Sequence, residues 1–350
     1  MRKKQSITPP GFLFDNLKSK IRLFAIVVAF AMSAAVADAQ QPAGKMWRIG
    51  YLSDGSAFDP VIARRRDLFR QGLRDLGYVE GKNVNIEYRY AEGKSERLAE
   101  LADELARLKV NILVVNNDRV ARAAQKSSAM TPIVMTSSGN PIGSGVIASL
   151  ARPGGNVTGL TSYTAELLDK RLGLLKEVLP RVSRIAFLNN EASFEQSASA
   201  VAFKDAQRTA KVLGVTFQLI QVKAQNPDIE SAFRLMVKER VGALVTSPSP
   251  PITFHRKRIL QLTEQNRIPA MHSGQQWAND GGLMSYGTDT DEQSRRAAVY
   301  VDKILKGTKP ADLPVEGPMK FEFVINLQAA KKIGVTIPQS VLFRADKVIQ

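Results

Sequence analysis

The sequence predicts an α/β fold of two similar lobes, and three observations lead there. Short apolar strands alternate with helices of near 3.6-residue period from residue 46 onward. The rhythm stops at Pro153-Gly154-Gly155-Asn156 and then restarts. A Gly-rich break at Asp280-Gly281-Gly282 precedes one more strand and a long helix.

In the first lobe, residues 46–52 read as a strand that stops at Ser53-Asp54-Gly55-Ser56. Residues 59–76 place Ile62, Leu68, Phe69, Leu73 and Leu76 at helical spacing and end at Gly77. Residues 83–90 alternate as a strand, and 95–108 return to helix on the stripe Leu98, Leu101, Leu105 and Leu108. Strand 111–115, helix 120–127 and strand 132–135 complete the unit. The second unit reads as helix 164–178, strand 183–188, helix 194–213, strand 215–220, helix 228–239, strand 243–246, helix 254–265 and strand 268–271. Strand 283–286 and helix 289–305 follow, then strand 320–325 and helix 327–333. The chain passes between units near residues 160 and 283, which makes a hinge with a cleft. Strand carboxyl ends, where open α/β sheets bind ligands, can face each other across such a cleft.

The first forty residues carry a different signal. Arg2, Lys3, Lys4, Lys18, Lys20 and Arg22 precede the apolar run 23–37, which ends in Ala37-Asp38-Ala39. A positive head, about fifteen apolar residues and an A-x-A site read as a cleaved secretory signal. The run falls short of the roughly 20 residues that a spanning helix needs. A periplasmic protein beginning near Gln40 is therefore expected. The chain has no cysteine, so an acyl anchor on cysteine, disulfides and thiolate metal sites are chemically excluded. Formal net charge is +16, and removal of the leader, with six Lys/Arg against Asp15 and Asp38, leaves +12. The positives are spread out without a basic block interleaved with aromatics, which argues against a nucleic-acid partner.

Catalytic machinery is missing from the sequence. His255 and His272 are the two histidines, and there is no H-E-x-x-H, P-loop or G-x-S-x-G motif. No enzyme activity, cofactor or metal is expected.

Four stretches resemble one family. They are Phe69-Arg70-Gln71-Gly72-Leu73-Arg74-Asp75-Leu76-Gly77-Tyr78-Val79-Glu80-Gly81, Ser149-Leu150-Ala151-Arg152-Pro153-Gly154-Gly155-Asn156-Val157-Thr158-Gly159-Leu160, Gly281-Gly282-Leu283-Met284-Ser285-Tyr286-Gly287, and Tyr300-Val301-Asp302-Lys303-Ile304-Leu305-Lys306-Gly307. They resemble the ABC-transporter substrate-binding family whose characterised branch takes tryptophan and tyrosine. The likeness continues through Phe323-Val324-Ile325-Asn326-Leu327 and covers essentially all the mature chain. It implies a type I periplasmic-binding-protein fold, with two Rossmann-like three-layer lobes joined by a three-stranded hinge, and delivery of a small-molecule ligand to a membrane permease. On that reading 1–39 is the signal peptide, 45–160 the first lobe with a return segment 283–320, and 161–282 the second lobe, to which 321–350 is a candidate to return. A monomer is expected.

The resemblance also implies that pocket residues lie on loops after strands: Ser53, Asn116 and Asn117, the run Ser137-Ser138-Gly139-Asn140, Thr161-Ser162, Asn189-Asn190, Ser247 and the region His272 to Trp277. Two departures stand out. The loop after the third strand is Asn116-Asn117-Asp118-Arg119 where the family is often small and Gly-rich, and Asn140 precedes Pro141 where the family often carries Asp. Replacing a carboxylate by an amide removes an acceptor-only charge and adds donors.

Each candidate has a plainer alternative. Ser137, Ser138 and Asn140 offer hydroxyls, an amide and backbone N–H groups to a carboxylate, or form a turn satisfied by its own backbone. Thr161 and Ser162 cap the next helix or present its N–H groups to an anion. Asn116 and Asn117 are donor–acceptor groups for ligand, or one of them is an N-cap. Phe58, Tyr163, Phe194 and Trp277 wall an apolar ligand or pack the core. His272 follows a strand and looks towards the cleft, and Asp289 is a hinge cap or a contact to a ligand amine. Loops rich in Ser, Thr and Asn beside aromatics point to a small carboxylate-bearing solute with an apolar part, an amino acid or an aromatic acid. The expected function is the binding component of an ABC importer that closes on its ligand. The alternatives are a ligand sensor that reports to a membrane receptor and a binder of another small-molecule class.

Overall fold

The computed structural model describes residues 46–163, 167–191, 198–223 and 225–350. The leader and Phe194 lie outside the described residues. β1 (Trp47–Ser53) is flanked by β2 (Val84–Tyr90) and β3 (Ile112–Val115), and β4 (Ile133–Ser138) and β5 (Val157–Thr161) extend the sheet. The order is β2-β1-β3-β4-β5, with every neighbour pair parallel. Alternation along β1 decides which helix packs where. Ile49 and Tyr51 face α1 (Pro60–Asp75) through Phe69 and Leu73. Leu52 packs with Leu98, Leu101 and Leu105 of α2 (Leu98–Arg107) and Val120 of α3 (Asp118–Ser127) on the other side. All four residues of β3 are buried, as a parallel strand covered on both faces requires.

The second sheet has the order β12-β11-β10-β9-β8-β6-β7. Its parallel part comprises β6 (Arg184–Asn190), β7 (Thr216–Val222), β8 (Ala243–Thr246), β9 (Ala270–His272) and β10 (Met284–Thr288). β11 (Phe321–Asn326) runs antiparallel to β10 and pairs in parallel with β12 (Lys347–Ile349). One face carries α4 (Leu167–Val178) and α5 (Ala198–Val212), with Leu172, Leu175, Phe203 and Ala206 in its core. The other carries α6 (Ile229–Lys238) and α8 (Arg256–Gln265), with Phe233, Met236 and Ile259. The helix expected over 254–265 is divided, since α7 (Pro250–Phe254) ends at His255 before α8 begins. The stretch around Trp277 forms the short helix α9 (Gln275–Asn279).

Three segments cross between the lobes. The first leaves β5 at Thr161. The second leaves β10 and enters α10 (Thr290–Leu305), which packs on α1 in the first lobe. The third runs from Leu313 to Lys320 and joins β11. Leu160 bridges Glu316 in parallel, and the Thr161 N–H donates to the Glu316 carbonyl at 2.9 Å, so two of the crossings are hydrogen-bonded to each other. Side chains tie them further. The Gln293 amide donates to the Thr161 carbonyl at 2.7 Å, and the Thr288 hydroxyl to the Ser162 carbonyl at 2.8 Å.

The α1–α10 contact sets up a direct test of packing against propensity. A Cβ on Gly72 would lie 2.5 Å from the Arg295 carbonyl oxygen and 3.0 Å from the Ala298 Cβ. Alanine at a helix interior normally gains roughly 0.5–1 kcal/mol over glycine. Here the neighbour is helix backbone and cannot swing aside, so Gly72→Ala should instead destabilise by about 1–3 kcal/mol. Gly173, inside α4, has open space around the same added carbon. Gly173→Ala should therefore raise the urea midpoint while Gly72→Ala lowers it, and shifts of the same sign in both would refute the packing argument.

Candidate functional site

The two sheets point their strand carboxyl ends at one cleft of about 630 Å³, within the roughly 300–1,000 Å³ range of small-molecule sites. Its walls come from the loops after β1, β3 and β4 on one side and after β6, β8 and β9 on the other, with the N-terminal ends of α1 and α10 closing the rim. Two contacts join the lobes there. Gln225 donates to the Glu96 carboxylate at 3.0 Å, and the Phe254 ring edge packs over Gly93, whose added Cβ would be 3.0 Å from it.

On the first lobe the wall is organised around Asp54, which is 4% exposed. One carboxylate oxygen accepts from the Asn116 Nδ2 at 2.7 Å, the other from the Asn117 Nδ2 at 2.8 Å. The Asn117 Oδ1 meanwhile caps α3 by accepting the Val120 N–H at 3.0 Å. Cap and cleft wall are thus the same side chain. Asn140 uses its Oδ1 to accept the Gly143 N–H at 2.7 Å, closing the turn after β4. Asp118 lies beside that turn. Burial raises its carboxyl above the ordinary range, opposed by hydrogen bonds from the backbone of Asp118 itself and Gly139 and from the Ser144 hydroxyl. At the rim Arg65 donates to the Thr290 hydroxyl at 2.6 Å, and Arg64 pairs with Asp291.

On the second lobe the wall is more apolar and carries a buried cation. Leu168, Phe187 and Trp277 supply the apolar part. Arg171, on α4, is 2% exposed and donates from Nε to the Tyr286 carbonyl at 2.8 Å. Burial lowers its pKa to about 10, so the guanidinium stays protonated at neutral pH. Asn189 is fully buried at the end of β6. Its Oδ1 accepts the Asn190 N–H at 2.8 Å, while its Nδ2 has no protein acceptor among the described residues. The Trp277 indole stacks on His272 at 4.2 Å between ring centroids with the planes 7° apart. The His272 Nδ1 bonds to the Thr246 hydroxyl at 2.8 Å.

Of the residues singled out in the sequence, Asn116, Asn117, Ser137, Asn140, Ser162, Asn189, Ser247 and Trp277 line the cleft. Others do not, and the reasons are visible. Ser53 turns its hydroxyl onto the Gly55 N–H at 3.1 Å. Phe58 stands 91% exposed, away from the wall. Ser138 and Thr161 are fully buried in the hinge, where the Thr161 hydroxyl donates to the Ser138 carbonyl at 2.9 Å. His272 sits behind Trp277, and Asp289 caps α10 by accepting from Asp291 and Glu292. Tyr163 packs against Gly317 on the third crossing. Thr161→Val should consequently lower stability by about 1 kcal/mol through a lost hydrogen bond. Ligand affinity falling without any change in stability would instead place its hydroxyl on the ligand.

Arg171 and Asp54 were missed in the sequence. Arg171 left a signal. It shares the apolar stripe of Leu167, Leu174 and Val178 by helical spacing, and an arginine on a buried stripe marks a built polar site. Asp54 follows Ser53 directly and differs from it only in which way the side chain turns.

The chain and its fold resemble those of known proteins. Residues 59–349 match the family described as ABC transporter substrate binding protein. A tyrosine-binding protein of Clostridioides difficile is 22% identical over 277 residues, spanning 79% of this chain and 78% of that protein. A crystal structure of a conserved domain protein from Vibrio cholerae superposes with a TM-score of 0.79 at 26% identity, covering 87% of this chain and 100% of that one. An ABC domain from Streptococcus pneumonia in complex with L-Trp superposes with a TM-score of 0.78 at 25% identity and the same coverage. The two-lobed α/β architecture is the type I periplasmic-binding-protein fold. With the match extending over most of its length, the chain belongs to the ABC transporter substrate-binding family.

Proposed function

We propose that this chain is the solute-capturing component of an ABC importer, and that its ligand is a small carboxylate-bearing solute with an apolar part. The observation that carries the reading is the second-lobe wall, where the buried Arg171 guanidinium and the Asn189 Nδ2 stand beside Leu168, Phe187 and Trp277. A planar guanidinium offers several N–H donors suited to a carboxylate, and the apolar side chains and indole give ring surface to bury. Relatives that take tyrosine and tryptophan support the same class. Ligand contacts made from both lobes at once favour the closed arrangement, because an open one cannot supply them together. A membrane permease reads that closed form.

Thermal shift against amino acids, aromatic acids, nucleosides and sugars tests the ligand class, since a bound ligand raises apparent stability with its concentration over Kd. Carboxylates with an apolar part should stabilise the protein; stabilisation by sugars or nucleosides alone would overturn the assignment. Export follows from the leader. N-terminal sequencing of processed protein should start at or near Gln40, and full-length protein kept in the cytoplasm would remove the periplasmic assignment.

A further inference from the structure

Among the described residues lining the cleft, Arg65 and Asn189 carry buried side-chain atoms that no protein group completes, the Arg65 Nε on the first lobe and the Asn189 Nδ2 on the second. Both atoms are donors, and a buried donor left without an acceptor is costly. The first-lobe wall holds as many arginines as carboxylates, so formal charge decides nothing there and the partners of each group do. Asp54 accepts from Asn116 and Asn117, Asp59 from the Val61 and Ile62 N–H groups, and Asp291 pairs with Arg64. Asp118 is held by backbone N–H groups and the Ser144 hydroxyl. Arg119 donates to the Ser95 hydroxyl at 2.9 Å and Arg122 to the Ser144 carbonyl. Arg65 differs from all of these. Its Nη2 donates to the neutral Thr290 hydroxyl at 2.6 Å, its Nε is buried without an acceptor, and no carboxylate among the described residues is paired with it. Burial first lowers its pKa; Asp291, Tyr51 and Asp59 raise it, and the Arg256 guanidinium of α8, on the opposite lobe, lowers it again. Arg256, tied to Asp280 at 2.6 Å, also lines the cleft. Two guanidinium groups thus approach from opposite lobes, and their repulsion opposes closure unless an anion lies between them.

We propose that the rim of the cleft takes a second anionic group of the ligand, held by Arg65 on the first lobe and faced by Arg256 on the second. The inference rests on the carboxylate reading above, which places one anion on Arg171 and Asn189, and it adds the second. The solute is then a dicarboxylate with an apolar or aromatic spacer, for which Leu168, Phe187 and Trp277 supply the apolar wall. A carboxylate suits Arg65 better than a neutral carbonyl does. Charge-assisted hydrogen bonds are roughly twice as strong as neutral ones, and a buried cation needs a compensating charge as well as an acceptor. Arg65 stands on α1 and bonds through Thr290 to the N-terminal end of α10, so the second anion is read where those two helices close the rim.

Terephthalate, para-phenylenediacetate and suberate, each beside its half-amide, separate charge from shape, because the amide keeps the size of the lost carboxylate without its charge. L-Tryptophan and L-tyrosine serve as references with a single carboxylate. Titration calorimetry on the full mature chain should find at least one diacid bound about tenfold or more tighter than its half-amide. In Arg65→Gln that preference should shrink towards unity, the diacid losing more affinity than the half-amide. A role for Arg65 confined to tying α10 through Thr290 would weaken both equally and leave the ratio unchanged, which would overturn the inference. The half-amide titration also reports whether the variant is folded, and the comparison in the parent protein needs no variant. Half-amides that bind the parent as tightly as their diacids overturn the inference and leave the carboxylate reading intact. Binding of L-tryptophan or L-tyrosine without binding of any diacid does the same. Silence from every probe overturns both.

Discussion

Arg171→Met should abolish most ligand affinity while leaving the protein as stable as before or more so. The two effects have separate causes. Removing one partner of a buried, hydrogen-bonded charge pair costs about 2–5 kcal/mol of binding, which corresponds to a loss of roughly 30-fold or more. Holding a guanidinium at 2% exposure, on the other hand, costs the folded protein desolvation energy, as the fall of its pKa to about 10 shows. Methionine fills similar volume among Leu167, Leu168 and Leu175 without that cost, and such replacements are often neutral or stabilising. Arg171→Lys should keep a charge but lose the planar fork, and its affinity should lie between the two. Calorimetry with a carboxylate ligand found in the thermal-shift panel, together with urea unfolding of the same samples, reads both quantities. Loss of stability in step with loss of binding would show that Arg171 holds the hinge strand through Tyr286 and serves the ligand indirectly.

The fold was legible because its determinants are local and repetitive. The stripe Leu98, Leu101, Leu105 and the fully apolar run of β3 each specify an element and its buried face without reference to the rest of the chain. The Gly-rich break at residues 280–282 likewise marked a turn between elements, the one that leads into β10, since glycine at 281 has φ 106° and admits a turn that other residues resist. The site was less legible, because position after a strand does not say which way a side chain turns. Ser53 and Asp54 are consecutive, yet Ser53 closes its own loop and Asp54 faces the cleft. Ser137 and Ser138 divide in the same way, one to the cleft and one into the hinge, as alternation along an extended segment dictates. The hydroxyl read as a ligand contact at Thr161 is absorbed by the crossings, donating to the Ser138 carbonyl, where backbone groups leaving the sheets need partners, and Ser138 is fully buried beside it. Arg171 is the instructive case. Long charged side chains mostly lie at the surface, and only its register with the leucines of α4 argues otherwise.

His272 supplies the second large effect, and it concerns acid stability. The ring is fully buried, bonded through Nδ1 to Thr246 and stacked on Trp277. Burial first, and the Arg171 charge second, lower its pKa from 6.5 to about 3. In the unfolded chain the imidazole titrates near its ordinary value, about 6.5. Between about pH 6.5 and 3 the unfolded state therefore binds a proton that the folded state refuses. The stabilisation is fully present above pH 6.5 and is lost as pH falls through that window, with a limiting slope of about 1.4 kcal/mol per pH unit for one proton. Carboxylates with ordinary values near 4 contribute little down to about pH 5. Asp118, Glu292 and Glu322, whose carboxyls burial raises, act in the opposite direction and are common to parent and variant, so the difference between the two slopes isolates His272. Urea midpoints of the parent protein should fall from pH 7 to pH 5, whereas His272→Gln, less stable at pH 7 for want of the indole stack, should hold a nearly constant midpoint over the same interval. Equal slopes in the two proteins would mean that the imidazole takes up its proton inside the fold, and the tight Thr246–His272–Trp277 packing would then have to open to accommodate the charge.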